Sequence, residues 1–130
     1  MKIKVELMNM ESDPGYVLSN GYTDAILVSA EDAARCGGDS DALFDLEGEQ
    51  ITVGMLEDVE TRTAHTGALN YRTTTGVFDA PDGKVVVQKN YEDICTSDGV
   101  YSSAWVVEPQ SLRSLYEERA AEYARLAEMN

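Results

Sequence analysis

Between Cys36 and Glu49 the chain reads CGGDSDALFDLEGE, with five carboxylates, Asp39, Asp41, Asp45, Glu47 and Glu49, around a short apolar run. Carboxylates at this spacing suit three kinds of chemistry. They ligate hard cations, they work as acid and base, or they present charge to a basic partner. A calcium loop of the EF-hand kind needs oxygen ligands at positions 1, 3 and 5, glycine at 6 and glutamate at 12. Counted from Asp39, the first two positions fit, but the next three required places hold Leu43, Phe44 and Gln50. No metal is expected there.

Nucleophilic chemistry has thin support. His65 is the one histidine, in the polar stretch TRTAHTGALNY, and no G-x-S-x-G elbow accompanies it. Cys36 and Cys95 lie too far apart for a paired metal knuckle and read as small buried residues, free as thiols in a cytosolic chain. Neither a G-x-G-x-x-G fingerprint nor a Walker loop occurs, so no cofactor is expected. A small enzyme using His65 or a carboxylate pair is the third functional reading.

The strongest lead is charge. The net charge of −14 opposes direct binding to nucleic acid or to anionic membrane and favours a cationic partner. It is unevenly placed: residues 1–30 carry −2, residues 31–60 carry −9, residues 61–90 carry +2 and residues 91–130 carry −5. Segregated charge steers and orients a partner, whereas an acidic proteome would spread it without a binding role. The candidate face comprises Glu31, Asp32, Asp39, Asp41, Asp45, Glu47, Glu49, Glu57 and Asp58. The first functional reading is a non-enzymatic protein-binding module or inhibitor that engages a basic partner through this face. A nucleic-acid-binding protein suits that role, because its groove already expects phosphates. The second reading is a small structural or accessory protein that self-associates.

These residues need a scaffold. One hundred and thirty residues suit one domain, and the 43% hydrophobic share suits a packed core rather than disorder. No apolar run approaches the roughly 20 residues of a membrane helix, and the opening MKIKVELMNM lacks a signal-peptide core, so a cytoplasmic protein is expected. Ile3, Val5 and Leu7 alternate with Lys2, Lys4 and Glu6 as in a half-buried strand. DAILVS reads as a buried strand, and Ser29 as the cap of a short helix AEDAARC. ALFDL and QIT read as strand pieces, with Phe44 and Leu46 entering the core. Thr52 reads as the cap of a second short helix, VGMLEDVE.

ALNYRTTTGVFDA and KVVVQKNYE flank Pro81-Asp82-Gly83 and read as a long hairpin, with GVYSSAWVVE as a third strand. After Pro109, Leu112, Leu115, Tyr116, Ala120, Tyr123 and Ala127 recur at helical spacing, predicting a C-terminal helix packed on the sheet by that face. The expected fold class is α+β: one domain over residues 1–130, mainly antiparallel sheet with a long hairpin, two short helices and the C-terminal helix.

Overall fold

The computed structural model describes residues 1–16, 18–94, 99–109 and 112–128. They form seven strands and three α-helices. In chain order these are β1 (Lys2–Ser12), β2 (Asn20–Ser29), α1 (Ala30–Arg35), α2 (Ser40–Asp45), β3 (Glu49–Gln50), β4 (Glu57–Thr66), β5 (Leu69–Asp79), β6 (Lys84–Ile94), β7 (Gly99–Val107) and α3 (Leu112–Glu128). A single 3-10 turn, Val53–Met55, precedes β4. The sheet is antiparallel in every pairing, in the order β4-β5-β1-β2-β6-β7, with β3 added to β2.

The central pair is short. β1 meets β2 only from Met8↔Thr23 to Glu11↔Asn20. Further along, the two strands part, and β3 takes the place beside β2 at Ile26↔Gln50 and Leu27↔Glu49. The sheet thus has two halves, β4-β5-β1 and β2-β6-β7. One core draws Ile3 and Val5 from the first half and Ala25 and Val86 from the second, with Ile51 and Ala80 between them. A second core covers the other face of β2-β6-β7. There Ile26, Val28, Val87 and Ala104 meet Ala33 of α1 and Leu43 of α2. Burying these aliphatic side chains stabilises by roughly 1.5–3 kcal/mol each.

The predicted hairpin does not form. Pro81-Asp82-Gly83 does make a turn: Gly83 holds φ +79°, and the Lys84 N–H donates to the Pro81 carbonyl at 3.1 Å. Yet β5 runs along the whole of β1, from Lys2↔Asp79 to Ser12↔Leu69, while β6 runs along β2 from Ser29↔Lys84 to Asn20↔Asp93. The β1-β2 pair lies between the two arms. Turn chemistry specifies a reversal of direction, and burial chooses the neighbour. β7 is the third strand's counterpart as expected, paired to β6.

Two further expectations are corrected. ALFDL is helical, because Asp39 after Gly37-Gly38 caps α2 by accepting the Asp41 and Ala42 N–H groups. Leu43, not Phe44 or Leu46, is its fully buried residue. VGMLEDVE is not a helix: it supplies the 3-10 turn and the start of β4, where Val59, Thr61 and Thr63 favour extended chain. α1 forms as read, with the Ser29 side chain accepting the Asp32 N–H.

α3 reaches the sheet through polar groups. Glu118 pairs with Lys4 at 3.3 Å, Glu122 pairs with Arg62, and the Tyr123 hydroxyl donates to Glu60. The Arg62 guanidinium lies 5.4 Å from the Tyr123 ring centre. The contact is not the apolar one expected: Ala120 and Ala127 are exposed, and Tyr123 meets β4 through Glu60 and Arg62 while staying 50% exposed. The side chains of Leu112, Leu115 and Tyr116 lie outside the described residues.

Candidate functional site

The segment from Asp39 to Ile51 crosses the outer face of β2-β6-β7, and it is pinned at each strand. At β7, the Ser40 hydroxyl accepts the Ala104 N–H at 2.9 Å. That bond blunts an edge strand, which would otherwise invite further pairing. Over β6, the Lys89 ammonium donates to the Leu46 carbonyl at 2.5 Å and lies 5.5 Å from the Phe44 ring centre. At β2, Gln50 and Glu49 complete the β3 ladder, and the Ile51 N–H donates to the Ala25 carbonyl at 2.8 Å. Gly48 is required at this crossing, because a Cβ there would meet the Leu27 carbonyl oxygen and, at 2.8 Å, the Val28 side chain.

Along this belt Asp41, Asp45, Glu47 and Glu49 are all exposed. Among the described residues none of the four side-chain carboxylates has a hydrogen-bond or ion-pair partner. Lys and Arg are absent from residues 36–61. The base beneath the belt, Lys89, is spent on a carbonyl. Its cross-strand neighbour Asp24 is half-buried, and burial pushes its carboxyl above the usual 3.8 while Lys89 pulls the other way. Two strand-to-strand steps separate β7 from β2, so the belt spans about 10 Å across the strands.

All nine carboxylates read from the sequence are exposed, but they do not form one surface. Asp39 belongs to the belt as its helix cap. Glu31 and Asp32 lie on α1 and are both held by Arg35, at 2.8 and 3.0 Å. Glu57 and Asp58 lie on β4, in the other half of the sheet, where Glu57 pairs with Lys2 at 3.3 Å. Asp58 sits at φ +51° beside a register shift in the β4-β5 ladder. Strand twist and pairing, invisible in a linear charge count, separate this pair from the rest.

On β7 Trp105 is 45% exposed and Tyr101 54% exposed. Their alternation with Ala104 and Val106 was the available signal, since those even positions enter the outer core. The polar stretch around His65 is strand, not loop: His65 is in β4, and its Nε2 lies 2.9 Å from Asp13. Asn70 also donates to Asp13, and these two hydrogen bonds hold the Asp13 carboxyl below its usual range. Among the described residues no serine, threonine or cysteine hydrogen-bonds to the imidazole. Cys36 is half-buried, and Cys95 lies outside the described residues, as does any pairing between the two. No group of three or more His, Cys, Asp or Glu among the described residues is placed to hold a metal.

No family model, curated protein or solved structure matches this chain. No helix among the described residues is long and apolar enough to cross a membrane.

Proposed function

We propose that this chain is a single α+β domain acting as a non-enzymatic acidic binding module in the cytoplasm. Its carboxylate belt engages a basic protein, with nucleic-acid-binding proteins the natural class of partner. One observation carries the reading: the carboxylates of Asp41, Asp45, Glu47 and Glu49 have no partner among the described residues, on a backbone fixed at three strands. Carboxylates kept for solubility alone need no fixed spacing. A pinned segment loses little freedom on binding, which lowers the cost of association.

The test begins with capture from the native host and mass spectrometry, followed by association kinetics with the captured partner. The belt variant carries D41N, D45N, E47Q and E49Q. Asp39 stays, because its carboxylate caps α2. A second variant with D82N, E92Q, E108Q and E128Q changes net charge equally away from the belt. The belt variant should slow association by more than the second, and the difference should shrink as salt rises past about 0.15 M. Equal slowing in both would reduce the effect to net charge and sink the belt reading.

A further inference from the structure

The β4-β5-β1 half carries a polar groove unrelated to the belt. Strand register sets its floor in three cross-strand rows: Leu7, Thr74 and Thr61; then Asn9, Arg72 and Thr63; then Glu11, Asn70 and His65. Residues two apart on a strand share a face, so the three rows look the same way. A cavity of about 570 Å³ opens over the second and third rows. Another of about 320 Å³ opens over the first and second and extends to Thr23. Asn9 and Arg72 line both, so the two spaces adjoin at these residues. Their size is that of small-molecule sites.

Most of the described bases of this acidic chain are engaged, and Arg72, like Lys84, is not. Lys2, Lys4, Arg35 and Arg62 all pair with carboxylates, and Lys89 is held by a carbonyl. Arg72 has no hydrogen bond, ion pair or ring contact with the described residues. Its neighbours across the strands are neutral: Asn9 offers an amide and Thr63 a hydroxyl, both likewise unengaged. The nearby donors Asn70 and His65 are committed to Asp13. The Thr61 and Thr74 hydroxyls are 3.1 Å apart and form a polar step into the smaller cavity.

We propose that Arg72, flanked by Asn9 and Thr63, is an oxyanion site for the carboxylate or phosphate of a small polar ligand. The planar guanidinium fork binds either group through two parallel N–H bonds. The amide and hydroxyl on each side reach the remaining oxygen lone pairs. The rest of the ligand lies along the Thr61 and Thr74 step toward Thr23. The strands already hold these groups in place, so binding asks for little reorganisation.

Titrations with inorganic phosphate and, separately, with acetate, followed by amide resonances of the full chain, decide the matter. At least one probe should give saturable shifts at Asn9, Thr63, Arg72 and Thr74, and the probe that does so identifies the chemistry. R72Q should weaken that binding by about tenfold or more, the loss expected for a charge-assisted pair. K84Q removes the same charge from another exposed, unpaired base and should leave binding unchanged. Absent or non-saturating shifts with both probes, or equal affinity in R72Q, would overturn the proposal.

Discussion

Gln88 and Glu6 bond to each other as though both were backbone in one ladder. The Glu6 N–H donates to Gln88 Oε1, and Gln88 Nε2 donates to the Glu6 carbonyl, each at 2.8 Å. The same Nε2 also donates to the Asp24 carbonyl at 3.0 Å. This occurs just where β1 leaves β2, so a side-chain amide satisfies backbone groups that the missing ladder would have used. Gln88 is only 3% exposed.

Replacing Gln88 by leucine roughly keeps the volume and removes all three bonds. Two backbone groups of Glu6 then lie unsatisfied against the core, and each costs about 1–3 kcal/mol. Urea denaturation of Q88L should show a loss of about 2–4 kcal/mol. A loss near zero would mean that water reaches Glu6 and that the two halves do not depend on this bridge.

Asp39 separates structural from presented charge. D39A should cost about 1 kcal/mol, because it leaves the N–H groups of Asp41 and Ala42 without their cap. D39N removes the same charge but keeps an oxygen acceptor, so its stability should stay close to that of the parent. Chemical denaturation of the two variants side by side is the check, and equal losses would assign the effect to charge.

Asp24 sets a pH dependence of opposite sign to that of a salt-bridged carboxylate. Burial raises its folded-state pKa above 3.8, so the folded chain holds a proton that the unfolded chain releases. Stability from this group is greatest at low pH and falls as pH climbs from 3.8 through the raised value. D24N should therefore gain in melting temperature relative to the parent as pH rises through that window, then hold a constant advantage. A constant difference at all acidic pH values would count against a buried, titrating Asp24.

Gly48 lets the belt cross β2 at close range. G48A forces a Cβ against the Leu27 carbonyl, and that overpacking should cost about 1–3 kcal/mol. Hydrogen exchange should quicken at Ile51, whose N–H bonds Ala25 beside the crossing. Unchanged protection there would show that the belt moves aside freely.

Much of the fold was legible in local pattern, and its pairing was not. The Ser29 cap, the alternation of Ile3 and Val5, and the β-branched runs of β5, β6 and β7 all point to the elements they form. The neighbour of β5 was misread because Pro81-Asp82-Gly83 looks the same whether its strands pair or diverge. α2 has six residues, too few for helical periodicity to outweigh the alternating look of Leu43, Phe44 and Leu46. At the belt, exposure was legible from composition, but Arg35 and Lys2 neutralise three of the nine residues through contacts set by the fold. The Arg72 groove left no linear trace, since its rows draw on β1, β4 and β5.

The order of the strands also bears on how the chain is made. β1 and β2 emerge before their long partners, yet share only the four pairs from Met8↔Thr23 to Glu11↔Asn20. Their long partners, β5 and β6, arrive only with residues 69–94. Such distant pairings close slowly and leave sticky strands waiting. The stretch translated in the interval, residues 31–60, carries −9. The chain therefore already carries −11 by residue 60, and mutual repulsion between chains opposes their aggregation while β1 and β2 still lack their partners.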